Sequence, residues 1–115
     1  MAKYERRLRG NFNSLLETLD REILGRSMTA SFQEGSDITI GNVRCAVRVY
    51  ERYSAIGSNR LAANITLLGD RDDLFLSVIS SGGSQAMFFK VNTWGESAFT
   101  DKIAGIVENW ERQGY

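Results

Sequence analysis

Val43-Arg44-Cys45-Ala46-Val47-Arg48-Val49-Tyr50-Glu51-Arg52 alternates without a break. Val43, Cys45, Val47 and Val49 fall on one side, while Arg44, Ala46, Arg48, Tyr50 and Arg52 fall on the other. A period of two sustained over this length marks a strand whose two faces meet different surroundings. The apolar character of the valine set assigns that side to the core and turns the arginines and Tyr50 outward.

Toward the N-terminus, Gly41-Asn42 is a turn signal. Beyond it, Ile38 to Ile40 continue a strand that Glu34 to Asp37 interrupts, and Met28, Ala30 and Phe32 alternate with Ser27, Thr29 and Ser31. Toward the C-terminus, Ser54 to Asn59 reads as a hairpin loop. Leu61, Ala63, Ile65 and Leu67 then alternate with Ala62, Asn64 and Thr66. Gly69 to Asp73 is another turn, Leu74 to Ser81 a further strand, and Ser80-Ser81-Gly82-Gly83 a turn into a strand over Gln85 to Val91.

Helical spacing brackets these strands. Phe12, Leu15, Leu16, Leu19 and Ile23 form one apolar stripe, capped by Asn11 or Asn13 and stopped by a left-handed Gly25. Phe99, Ile103, Ile106, Val107 and Trp110 form a second stripe in a helix that Thr93 and Glu96 open as a capping box. Tyr4 to Arg9 is a short, charged segment suited to a sheet edge. The expected fold is therefore α+β: an antiparallel meander of four to five strands with an N-terminal and a C-terminal helix packed on one face, in the order β-α-β4-α, as a single domain over 1–115.

This element order resembles the TATA-binding-protein-like fold, which the birch-pollen-allergen-like ligand carriers elaborate; the likeness is one of order and implies no function. Cys45-Ala46-Val47-Arg48-Val49 with Glu51-Arg52-Tyr53, and Ser81-Gly82-Gly83-Ser84-Gln85-Ala86-Met87-Phe88-Phe89, are similar to a family of small bacterial proteins that constitutes a domain of unknown function. That resemblance covers nearly the whole chain and implies no activity, cofactor or site residue.

Composition sets the outer limits. With 43% hydrophobic and 24% charged residues over 115 positions, the chain can bury a core without a disulfide or metal. Fourteen basic residues balance fourteen acidic ones, and no basic run exists, so nucleic acid ranks low among partners. The charged start from Met1 to Gly10 does not resemble a signal peptide and no stretch has the length of a membrane span, so a cytoplasmic protein is expected.

Catalytic chemistry finds little material. Histidine is absent, which removes the commonest general base and metal ligand, and Cys45 is the only cysteine. Its valine-flanked setting favours a buried, inert thiol. Asp70, Asp72 and Asp73 lack the spacing of a calcium loop. Ser81, Gly82, Gly83 and Ser84 are a candidate anion-binding turn, although they do not lead into a helix as phosphate loops do. No catalytic residue, metal or cofactor is expected.

The outward face is the remaining candidate. Arg44, Arg48, Tyr50, Arg52 and Phe75, joined by Ala46, Ala62, Ile79 and Phe88, mix aromatic, apolar and arginine side chains as interfaces do. The same set suits an anionic ligand, or arginine stems that cover a second apolar layer. The expected function is a non-enzymatic domain that forms a homodimer or binds a protein partner through this face. The alternative is a small-ligand binder with an apolar pocket between the sheet and the last helix, lined by Phe99, Ile103, Trp110, Met28, Met87 and Phe89.

Overall fold

The computed structural model describes residues 1–53, 60–82 and 89–114, with backbone alone over 89–97. The order is β1 (Ala2–Arg9), α1 (Phe12–Gly25), β2 (Ser31–Ile40), β3 (Val43–Tyr53), β4 (Arg60–Asp70), β5 (Asp73–Gly82) and α2 (Phe89–Arg112). The strands form one antiparallel sheet in the order β1-β5-β4-β3-β2, so β2 to β5 are a meander and β1 closes against β5 at an edge. Both helices lie on one face, which is the expected β-α-β4-α architecture.

Local chemistry explains the element ends. Asn11 caps α1 by accepting from the Ser14 amide at 2.8 Å. The helix does not stop on a left-handed glycine: Gly25 is its last residue, Arg26 follows in the right-handed region, and the Arg26 carbonyl accepts from Lys102 Nζ of α2 at 3.0 Å. The Arg26 amide closes the last turn on the Glu22 carbonyl at 3.2 Å, and the cation from α2 complements the negative helix end. Two-residue turns join β2 to β3 through Gly41-Asn42 and β4 to β5 through Arg71-Asp72. The first residue of each has positive φ, 61° at Gly41 and 58° at Arg71, which suits the twist of the flanking strands.

Three boundaries differ from the sequence reading. Residues 27–30, expected as strand, precede β2, which starts at Ser31. β2 runs through Glu34 to Asp37, with a bulge between Phe32 and Glu34 absorbing the break in alternation. Residues 89–91 are helical, so α2 starts before Thr93, and Thr93 and Glu96 lie inside it. The remainder of the expected strand over Gln85 to Val91, and the expected loop Ser54 to Asn59, lie outside the described residues.

The core sits between the helices and β4, β5 and β1. Leu61, Ala63, Ile65 and Leu67 of β4 and Leu74, Leu76 and Val78 of β5 meet Leu15, Leu19 and Ile23 of α1 and Phe99, Ile103, Val107 and Trp110 of α2. Two polar contacts are enclosed with them: Thr100 Oγ1 donates to Ser80 Oγ at 2.8 Å, and Trp110 Nε1 donates to Ser14 Oγ at 3.0 Å.

The facing of β3 is the reverse of that expected. Ala46 and Tyr50 are its buried members, so Arg44, Arg48 and Arg52 also lie on the helix side, and Val43, Cys45, Val47 and Val49 line the side without helices. The physical reason is position. β3 lies near the margin of the helix layer, where small Ala46 fits beneath it and long polar side chains reach over its rim with their heads in water.

Gly69 shows how closely α1 sits on the sheet. A Cβ there would lie 2.7 Å from the Phe12 ring and 3.1 Å from Leu74 Cδ2. Gly69→Ala is expected to lower stability by about 1–3 kcal/mol in urea unfolding, because the buried ring must move. Arg71→Gly, which relieves a side chain from positive φ, is expected to raise it by about 1 kcal/mol.

Candidate functional site

Each helix-side residue of β3 grips something different. The Arg44 guanidinium lies 4.1 Å from the Phe12 ring centroid and donates to Asn13 Oδ1 at 2.8 Å. Arg44 and Gly69 are register partners, so Phe12 rests over the pair and is enclosed from two sides. Arg48 is held by Asp37, at 3.1 Å, and by the Val47 carbonyl at 2.9 Å. Tyr50 packs edge-on against Phe32 with centroids 5.8 Å apart and donates its hydroxyl proton to Asp20 Oδ1 of α1 at 2.8 Å. Arg52 lies 4.4 Å above the Phe99 ring of α2.

Of the five expected contact residues, the structure thus gathers Arg44, Arg48, Tyr50 and Arg52 at the helix layer and separates Phe75 from them. Ala46, expected outward, is fully buried, whereas Ala62 and Ile79 accompany Phe75 on the open face and Phe88 lies outside the described residues. Ser81 and Gly82 end β5; Gly83 and Ser84 are outside the described residues. The pocket residues divide as well. Phe99, Ile103 and Trp110 are packed in the core, but Met28 is wholly exposed and lines nothing; Met87 and the Phe89 side chain are not described. An open groove of 530 Å³ instead runs between α1 and β2, lined by Leu16, Glu17, Asp20, Leu24, Phe32 and Arg48.

The open face has its own order. Cross-strand partners share a face, and the registers chain Ile38, Cys45, Leu68 and Phe75 into one apolar row across four strands, ending at Arg7 of β1. Ile40 and Val43 flank the row on one side and Val47 on the other. Ile38 is 57% exposed, Ile40 71% and Leu68 40%, values that place these side chains in water rather than beneath a neighbour. A solvated sheet face is ordinarily polar. The sequence reading missed Ile38 and Leu68; Leu68 had a signal, being the one large apolar residue in register with Ala62, Asn64 and Thr66.

Among the described residues no group of three His, Cys, Asp or Glu side chains could hold a metal ion, and no helix is long and apolar enough to cross a membrane. A sheet with helices on one face and an apolar row on the other defines the class: an open-faced α+β domain. The chain belongs to the family described as Family of unknown function (DUF6054), whose model matches residues 1–111. No curated protein and no solved structure matches the chain.

Burial, then the hydrogen bond to Asp20 and its charge, hold the Tyr50 phenol above its usual value of 10.0. A raised folded-state value means that stability is fully present below the unfolded value and is lost as pH rises beyond it, because the unfolded chain releases the proton first. Urea stability of the wild type is therefore expected to fall above about pH 10. Tyr50→Phe should cost about 1 kcal/mol at neutral pH and flatten that alkaline decline, leaving the part due to Tyr4, whose phenol burial also raises.

Proposed function

We propose that this domain self-associates, two copies packing their open sheet faces against each other. The observation that carries the reading is the apolar row Ile38, Cys45, Leu68 and Phe75 on a face that neither α1 nor α2 covers. Apolar side chains aligned across four strands offer the core of an interface, and the charged residues around them offer its rim.

A second copy is the favoured occupant for two reasons. Five strands spaced about 4.8 Å apart, over about eight residues of about 3.3 Å each, present roughly 630 Å² before side-chain relief, near the roughly 800 Å² per partner of a standard interface. Charge also fits a twofold arrangement. The β1 rim carries Lys3, Arg7 and Arg9 against a single acid, Glu5, 3.8 Å from Lys3, and stays net cationic; the β2 rim carries Glu34, and a twofold axis along the central strand β4 lays each rim over the other in the partner copy. Sheets packed face to face in this way align within about 30°. We place the domain in the cytoplasm, where a lone free thiol such as Cys45 stays reduced.

Sedimentation equilibrium tests the reading. The wild type is expected to dimerise, and Leu68→Glu and Ile38→Glu to weaken the dimer at least about tenfold, since each charge enters the interface twice. Both positions are exposed in one copy, so thermal melts of the dilute variants should match the wild type. A wild type that stays monomeric to about 1 mM contradicts the proposal, as do variants that dimerise as tightly as the wild type.

A further inference from the structure

On the opposite side of the sheet, the end of β3, the end of α1 and the middle of α2 bring three cations together. Lys102 of α2 donates to the Arg26 carbonyl at the end of α1. Arg52 of β3 lies over the Phe99 ring, which is buried and shields one face of the guanidinium. Phe99 and Lys102 are three residues apart on α2 and share one face, so the guanidinium over Phe99 lies on the Lys102 side; burial, then the charges of Arg52 and Arg26, hold Lys102 below its usual value, and burial lowers Arg52.

Their partners are unequal. Arg26 has Glu22, at 2.6 Å. Lys102 has a neutral carbonyl, which occupies one of its three donors, and its charge offsets the negative end of α1. Arg52 has no hydrogen-bond acceptor and no carboxylate among the described residues. The other helix-side arginines of β3 are tied: Arg44 to Asn13, Arg48 to Asp37 and two carbonyls. A stacked guanidinium keeps its in-plane donors free, and that edge is the part that pairs with two oxygens at once.

We propose that Arg52 and Lys102, with Arg26 at the rim, form a binding site for an oxyanion, the carboxylate or phosphoryl group of a small molecule. Arg52 supplies the two-pronged contact and Lys102 a point charge beside it. The site faces away from the apolar row, so it stands or falls independently of self-association.

The test is titration of the full chain with inorganic phosphate and, separately, with acetate at constant ionic strength, chloride serving as the control, followed by thermal melting and by NMR of the Arg52 Nε–H. Saturable stabilisation and a shifted Arg52 signal with phosphate alone assign a phosphoryl group, with acetate alone a carboxylate, and with both a general oxyanion site. Arg52→Gln and Lys102→Gln should each weaken binding at least about tenfold and Arg52→Lys by less, while Arg48→Gln leaves it unchanged. The absence of a saturable response beyond chloride up to about 50 mM overturns the proposal, as does a folded Arg52→Gln or Lys102→Gln that binds like the wild type.

Discussion

The hydroxyl of Tyr50 reaches from β3 to Asp20 of α1, and together with the burial of Ala46 it decides which side of β3 looks toward the helices. Much follows from that choice. Side chains on a strand alternate, so placing Ala46 and Tyr50 inward also places Arg44, Arg48 and Arg52 inward and the valines and Cys45 outward. The arginines are accommodated because their stems are apolar and their heads reach aromatic rings or polar groups at the margin of the helix layer. Arg44 closes over Phe12 at one end of the strand and Arg52 over Phe99 at the other, which ties both helices to it.

The two faces consequently carry different chemistry. The helix side is a filled core in β4 and β5 that turns cationic toward the end of β3. The open side is uncharged at its centre, where Cys45, Leu68 and Phe75 follow one another across the strands, and charged at its rims. That contrast of apolar centre and charged rims is what the proposed self-association rests on.

Most of this architecture was legible because its signals are strong. The two helical stripes, the alternation of β4, and the turn signals at Gly41-Asn42 and over Gly69 to Asp73 specified the element order and the meander. The facing of β3 was not legible, because hydrophobicity measures only what a side chain prefers. Val43, Val47 and Val49 outscore Ala46 and Tyr50, yet the latter pair fit the space under the helices and the former do not lie there. The bulge in β2 hid its continuity for a similar reason, since one extra residue shifts the period. Arg52 and Phe75 were visible as candidates, but their placement on opposite faces depends on long-range pairing. Lys102 carried no local signal at all, since its role arises from meeting the end of a helix distant in sequence.

Cys45 gives the most direct test, because it is the single thiol and lies in the middle of the open row. Its rate of reaction with a thiol reagent under native conditions should be substantial in dilute solution and should fall as protein concentration rises and a second copy covers it. A rate that does not change with concentration would contradict the account of what covers the open face. Labelling that requires unfolding even in the most dilute samples would contradict the orientation of β3 itself.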